Sequence, residues 1–146
     1  MSQEFHISMF GEIKLFVGLQ IQKNKNGIYI TQSKYIKEIL KKFGMEYSRP
    51  VGIPMSIGYK LSKNDDSKEV DQTTYRSMIG KLQYVVHTRP DIALVVGMVA
   101  RFSTNLKKNH MMKIKRIMRY LKGTKEYGLR YKKEGNFDLK AFTNVD

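Results

Sequence analysis

The chain has 146 residues, 41% apolar and 11% aromatic, enough for a packed core in one ordinary domain or in pieces of two. It has no cysteine, which excludes disulfides, thiolate catalysis and cysteine-ligated zinc, and its three histidines, His6, His87 and His110, lack metal-ligand spacing. Lys and Arg number 27 against 13 Asp and Glu, a formal net charge of +14, which favours a polyanionic partner, nucleic acid before an anionic membrane, although a lysine-rich solvated surface gives the same count.

In chain order, Ile13, Leu15, Val17, Leu19 and Ile21 alternate at the period of a strand, Lys23 to Gly27 carries an Asn-Gly turn, and Ile28 to Ile30 return, so residues 13–30 read as a β-hairpin. Tyr35, Ile36, Ile39, Leu40 and Phe43 then fall at helical spacing, with Gly44 as the left-handed stop. Residues 45–70, with Pro50, Pro54, Gly52, Gly58 and the polar run around Asp65-Asp66, read as a long exposed connection. Asp71 caps a second predicted helix whose apolar stripe is Tyr75, Met78, Ile79, Leu82, Val85 and Val86, and which stops near His87 because Arg89 precedes proline. A third helix starts at Pro90-Asp91 and runs through Phe102, and a fourth spans Lys108 to Lys122 with Met111, Ile114, Ile117, Met118 and Leu121 inward. Tyr127 to Tyr131 and Phe137 to Phe142 return to strand periodicity. The longest apolar run, Ile92 to Ala100, is far short of the roughly 18 to 20 residues that span a bilayer, and Met1 to Phe10 lacks the order of a signal peptide, so an intracellular protein without membrane contact is expected.

Three stretches resemble the reverse transcriptases of copia-type retrotransposons. They are Gly11-Glu12-Ile13-Lys14-Leu15-Phe16-Val17-Gly18-Leu19-Gln20-Ile21 with the following Gly27 to Phe43; Tyr75-Arg76-Ser77-Met78-Ile79-Gly80-Lys81-Leu82-Gln83-Tyr84 running on to Thr88-Arg89-Pro90-Asp91-Ile92-Ala93; and Ile117-Met118-Arg119-Tyr120-Leu121-Lys122-Gly123-Thr124 with Gly128-Leu129. They stand in the family's order and spacing. The resemblance implies an α+β fold with an N-terminal β-hairpin ending the palm, a thumb-like bundle of about four helices, and a C-terminal β-hairpin or strand. It divides the chain into residues 1–31, the end of the palm; 32–124, the thumb and connection region with its linker at 45–70; and 125–146, the opening of an RNase H-like domain.

The same resemblance implies what each surface does. Phe16, Val17, Gly18 and Leu19 are similar to the primer grip, where a glycine lets backbone approach a strand closely. In the second helix Arg76, Gly80, Gln83, Tyr84 and His87 form a face about 140° from the apolar stripe, similar to the thumb helix that follows the duplex minor groove. There Gln83 and Tyr84 suit sugars and base edges, and Arg76 and Lys81 suit phosphates. An amphipathic helix with an ordinary polar outer face is the alternative, against which a mid-helix glycine costing about 1 kcal/mol argues. Lys107 to Lys133 hold 11 basic residues and the single acid Glu126, and Lys108, Lys115, Arg119 and Lys122 line one side of the fourth helix. The implied partner is an RNA–DNA or DNA duplex.

No Tyr-x-Asp-Asp occurs in the chain, and Asn144 stands where the first metal-binding Asp of the RNase H strand is expected, two residues before Asp146. Mg2+ is implied for the intact family enzyme and no cofactor for this chain, so no catalysis is expected of it alone. Two alternatives remain: part of a polymerase separated from its palm, and a structural remnant that self-associates through exposed strand edges.

Overall fold

The computed structural model describes residues 13–16, 18–56, 71–102, 108–132 and 139–141. Val17, the Asp65-Asp66 stretch within 57–70, Asn144 and Asp146 lie outside them. The elements are β1 (Ile13–Phe16), β2 (Leu19–Asn24), β3 (Gly27–Thr31), α1 (Ser33–Lys42), α2 (Gln72–Val85), α3 (Ala93–Ala100), α4 (Lys108–Gly123), β4 (Gly128–Lys132) and β5 (Leu139–Ala141). The fold is α+β, with one five-stranded antiparallel sheet in the order β1-β2-β3-β4-β5 beside four helices.

One expected strand is two. The alternation from Ile13 to Ile21 is interrupted at Gly18, whose φ of 81° turns the chain so that Phe16 pairs with Leu19 and Leu15 with Gln20. Residues 13–31 are therefore a three-stranded meander, and Gly18 is a turn glycine. The second turn is shifted by a residue. Its tip is Lys25-Asn26, closed by the Asn26 N–H donating to Asn24 Oδ1 at 2.8 Å, while Gly27 already pairs with Asn24 as the first residue of β3.

The tail following α4 pairs with the N-terminal meander: Thr31 opposes Gly128, Ile30 opposes Leu129 and Gly27 opposes Lys132. A Cβ on Gly128 would overlap the carbonyl oxygen of Ile30, and one on Gly27 that of Tyr131, so both glycines are present because backbone passes close to backbone.

The helices follow their sequence signals. At the end of α1, Gly44 takes φ 68°, its N–H donates to the Lys41 carbonyl at 3.2 Å, and the Met45 N–H donates to that of Leu40 at 2.7 Å. This paired closure also buries Met45 beside Leu40 in the core. Asp71 caps α2 by accepting from the N–H groups of Thr73 and Thr74, and the hydrogen bond from the Thr74 hydroxyl, followed by these backbone bonds, holds its carboxyl below the usual range. Proline-led residues 90–92 form a 3-10 turn, and α3 begins only at Ala93, later than the sequence suggested.

The core lies among the four helices. Ile36, Ile39 and Leu40 of α1, Tyr75, Met78, Leu82 and Val85 of α2, Val96 and Val99 of α3, and Ile114, Ile117, Met118 and Leu121 of α4 are all buried. Tyr75 is completely buried and satisfies its hydroxyl on the Val99 carbonyl at 2.7 Å, and burial pushes its phenol pKa up. Residues 45–56 do not hang free as an exposed connection, since Val51 and Met55 pack against this core. No helix among the described residues is long and apolar enough to cross a membrane.

Replacing Gly128 by Ala forces β3 and β4 apart. We expect a loss of about 1–3 kcal/mol, read as a lowered urea midpoint. An unchanged midpoint would mean that the pairing of β3 with β4 contributes nothing to stability.

Candidate nucleic-acid interface

Two polar constructions stand out, one buried and one exposed. The buried one is centred on Arg89, only 1% of whose side chain reaches solvent. Its Nε and Nη2 donate to the two oxygens of Asp91 at 3.0 and 2.8 Å, a bidentate pair. Its Nη1 donates to the Thr124 carbonyl at 2.8 Å and Nη2 to the Thr124 hydroxyl at 2.7 Å. The rings of Tyr120 and Tyr127 lie 5.6 and 5.2 Å from the guanidinium carbon, and the Tyr120 hydroxyl donates to Asp91 at 2.8 Å.

Burial alone would raise the Asp91 pKa, but the hydrogen bonds and charge of Arg89, with the bond from Tyr120, hold it below the ordinary 3.8. Tyr120 is pushed up to about 12 by burial, then by the hydrogen bond and charge of Asp91.

Next to this network the Thr88 hydroxyl donates to Gln32 at 2.5 Å, both side chains buried, and the Ser33 hydroxyl donates to Glu126 at 2.9 Å. The Tyr29 hydroxyl also donates to the Glu126 carbonyl. The Gln32-Ser33, Thr88-Arg89-Pro90-Asp91 and Tyr120 to Thr124 segments are thus bonded into one junction. The sequence marks Arg89 as the residue before a helix-starting proline and as part of the Thr88 to Ala93 stretch, with no structural role assigned to its side chain. The available signal was an Arg and an Asp two residues apart on either side of that proline.

The exposed construction is the outer face of α2. Arg76, Gly80, Gln83 and His87 are exposed, and Lys81 and Tyr84 are half-buried. A Cβ on Gly80 would meet no atom of the described residues within 4 Å, so nothing among them requires glycine there.

Tyr84 links this face to the turn at Gly18. A Cβ on Gly18 would lie 3.4 Å from the Tyr84 ring and 3.9 Å from that of Tyr35. The Tyr84 ring stands edge-on to Tyr35 at 5.1 Å and to His87 at 5.4 Å. Lys81 lines a small hollow with Tyr35, Glu38, Ile39 and Lys42. The structure therefore places Gly18 beside Tyr84 near the C-terminal end of α2.

Arg119 and Lys122 are engaged elsewhere. Arg119 Nε donates to the Arg49 carbonyl at 2.6 Å, Lys122 Nζ to that of Ser48 at 2.6 Å, and Arg116 Nε to that of Ile53 at 3.2 Å. This row of α4 cations holds residues 48–53 against the helix. Lys113, also on α4, is buried, and its pKa is lowered by desolvation and by Arg116.

Among the described residues no three Asp, Glu, His or Cys side chains come together to hold a metal ion. The described residues therefore offer no ligand set for the Mg2+ implied for the intact family enzyme.

Residues 1–57 match the family model described as reverse transcriptase (RNA-dependent DNA polymerase). The whole chain aligns at 34% identity with the retrovirus-related Pol polyprotein from transposon RE1 of Arabidopsis thaliana, and over its full length at 34% with that from transposon TNT 1-94 of Nicotiana tabacum. The chain resembles a reverse-transcriptase segment of retrotransposon Pol polyproteins. It spans 10% of the RE1 polyprotein and 12% of the TNT 1-94 polyprotein. It is also 32% identical to an uncharacterized mitochondrial protein of Arabidopsis thaliana, of which it spans 60%. No solved structure gives a significant match.

The buried pair makes stability pH-dependent. Because the Asp91 pKa is depressed in the folded state, its contribution is complete above the ordinary 3.8 and is lost as the pH falls through the folded value. Asp91→Asn should cost about 1.5–3 kcal/mol at neutral pH. In urea titrations the gap between D91N and the native chain should narrow as the pH drops below about 4. A gap constant with pH would mean that the Asp91 charge does not stabilise the fold.

Proposed function

We propose that this reverse-transcriptase segment holds the template–primer duplex, RNA–DNA or DNA, through the outer face of α2 and the adjoining Phe16 to Leu19 turn, and carries no polymerase or nuclease chemistry of its own. The observation that carries the reading is Gly80. It sits in mid-helix on an exposed face at a cost to helix stability, and among the described residues nothing lies near enough to explain it.

An absent side chain lets a rigid partner come close to the helix backbone. Arg76 and Lys81 then flank the approach as phosphate ligands, while Gln83 and Tyr84 offer a hydrogen-bonding group and a flat apolar edge to the groove. Gly18, resting on Tyr84, extends the same surface to the turn. Contacts of this kind follow the shape and backbone of a duplex more than its sequence. The net charge of +14 supplies attraction at longer range.

The reading makes two measurable demands. Arg76→Gln with Lys81→Gln should weaken duplex binding in a filter assay and reduce the slope of log affinity against log salt by about 1.8, the share of two phosphate contacts. A slope identical to that of the native chain would remove α2 from the interface. Gly80→Ala should raise helix stability by about 0.5–1 kcal/mol while lowering duplex affinity, opposite effects that a purely structural glycine would not give. If affinity is unchanged in G80A, the close-approach argument fails.

A further inference from the structure

Positive charge is concentrated a second time in a cavity of about 300 Å3 formed where α1 meets the C-terminal end of α4. Lys34, Lys37 and Lys41 line it from α1, and Lys122 and Lys125 from α4 and the turn after it, against the two carboxylates of Glu38 and Glu46. Among the described residues neither glutamate is ion-paired with any of these lysines.

Helix chemistry accounts for part of this set only. Lys41 and Lys122 lie in the last turns of their helices, where a cation suits the dipole. Lys34 lies in the first turn of α1, where a cation is disfavoured and no acidic residue is present. Lys34, Lys37 and Lys41 also follow one another three and four residues apart, which makes them like-charged neighbours on the helix surface. Lys125 lies beyond α4 altogether. The fold keeps these ammonium groups together against their mutual repulsion, and an anion in the cavity would offset it.

We propose that this cavity is a binding site for consecutive phosphate groups, supplied either by a nucleic-acid backbone or by a free oligophosphate. Besides Leu40 and the two glutamates the lining is flexible ammonium point charges, with no aromatic ring, so it suits phosphates and offers no platform for a base. Five ammonium groups against two carboxylates leave three excess charges in a small volume. A phosphate chain, with at least one charge on every phosphorus, matches that density. Lys122, steered by its bond to the Ser48 carbonyl, fixes one end of the set. The nucleic-acid source rests on the proposed function, whereas the free-oligophosphate source does not.

The test titrates the full chain with sodium triphosphate by calorimetry and measures the salt slope of its affinity for a short duplex with a single-stranded extension. K37Q/K41Q should weaken triphosphate binding about tenfold or lower the duplex slope by about 1.8, while its unfolding midpoint does not fall below that of the native chain. K125Q, outside any helix, should move the same readings in the same direction. R76Q/K81Q should leave triphosphate binding intact even where duplex binding falls, which separates failure of this site from failure of the α2 interface. Displacement of triphosphate by the duplex identifies the nucleic-acid backbone as the source, and simultaneous binding identifies a free oligophosphate. If K37Q/K41Q matches the native chain in both triphosphate affinity and duplex slope, the proposal is overturned.

Discussion

A guanidinium almost without access to water holds the helices and the sheet of this molecule in one arrangement. Moving a cation of that size out of water costs several kcal/mol, and the cost is recovered only where every donor finds a good acceptor. Arg89 comes close to that condition, with four hydrogen bonds to Asp91 and to the Thr124 carbonyl and hydroxyl, and with the rings of Tyr120 and Tyr127 beside it. Its partners come from the α2–α3 junction and from the end of α4, and the neighbouring Thr88 reaches Gln32 between β3 and α1. Three chain segments distant in sequence meet there because a charge that cannot be left unpaired requires them to.

The exposed surface depends on that arrangement. One side of α2 is fixed by Tyr75, Met78, Leu82 and Val85 in the core, so the opposite side is presented at a set angle. Tyr84 lies at the margin between the two, with its ring against Tyr35 and His87 and the Gly18 turn resting on it. The turn and the helix are consequently held relative to each other by packing. A surface that has to follow the regular geometry of a duplex gains from such rigidity, because little conformational freedom is left to lose on binding.

The helices were legible because their signals are local. Asp71 as a cap, Gly44 as a left-handed stop and the stripes of α1, α2 and α4 each depend on a few neighbouring residues, and all stand where the sequence placed them. The hairpin is present as β2 and β3, and β1 precedes it as a further strand that the pattern hides, because alternation from Ile13 to Ile21 continues through Gly18 and period alone does not reveal the reversal there. The polar face of α2 was legible as a wheel, but its continuity with the Gly18 turn rests on Tyr84, a contact between residues 66 positions apart. Lys122 and Arg119 illustrate the same limit. Helical spacing put them on one side of α4, whereas their bonds to the Ser48 and Arg49 carbonyls depend on the path of a proline-containing segment that no periodicity encodes.

The pairing of β3 with β4 also has a kinetic meaning. These strands are roughly a hundred residues apart in sequence, so closing them directly from an open chain is entropically unfavourable. The helices between them have mostly local instructions, and once α1 to α4 condense around Tyr75 and Leu82 the two strand ends are delivered to each other. Topology alone would leave this non-local pairing to be completed after the locally encoded helices. Until that moment β3 has only β2 beside it, and an open strand edge is exposed to any other chain still being synthesised nearby.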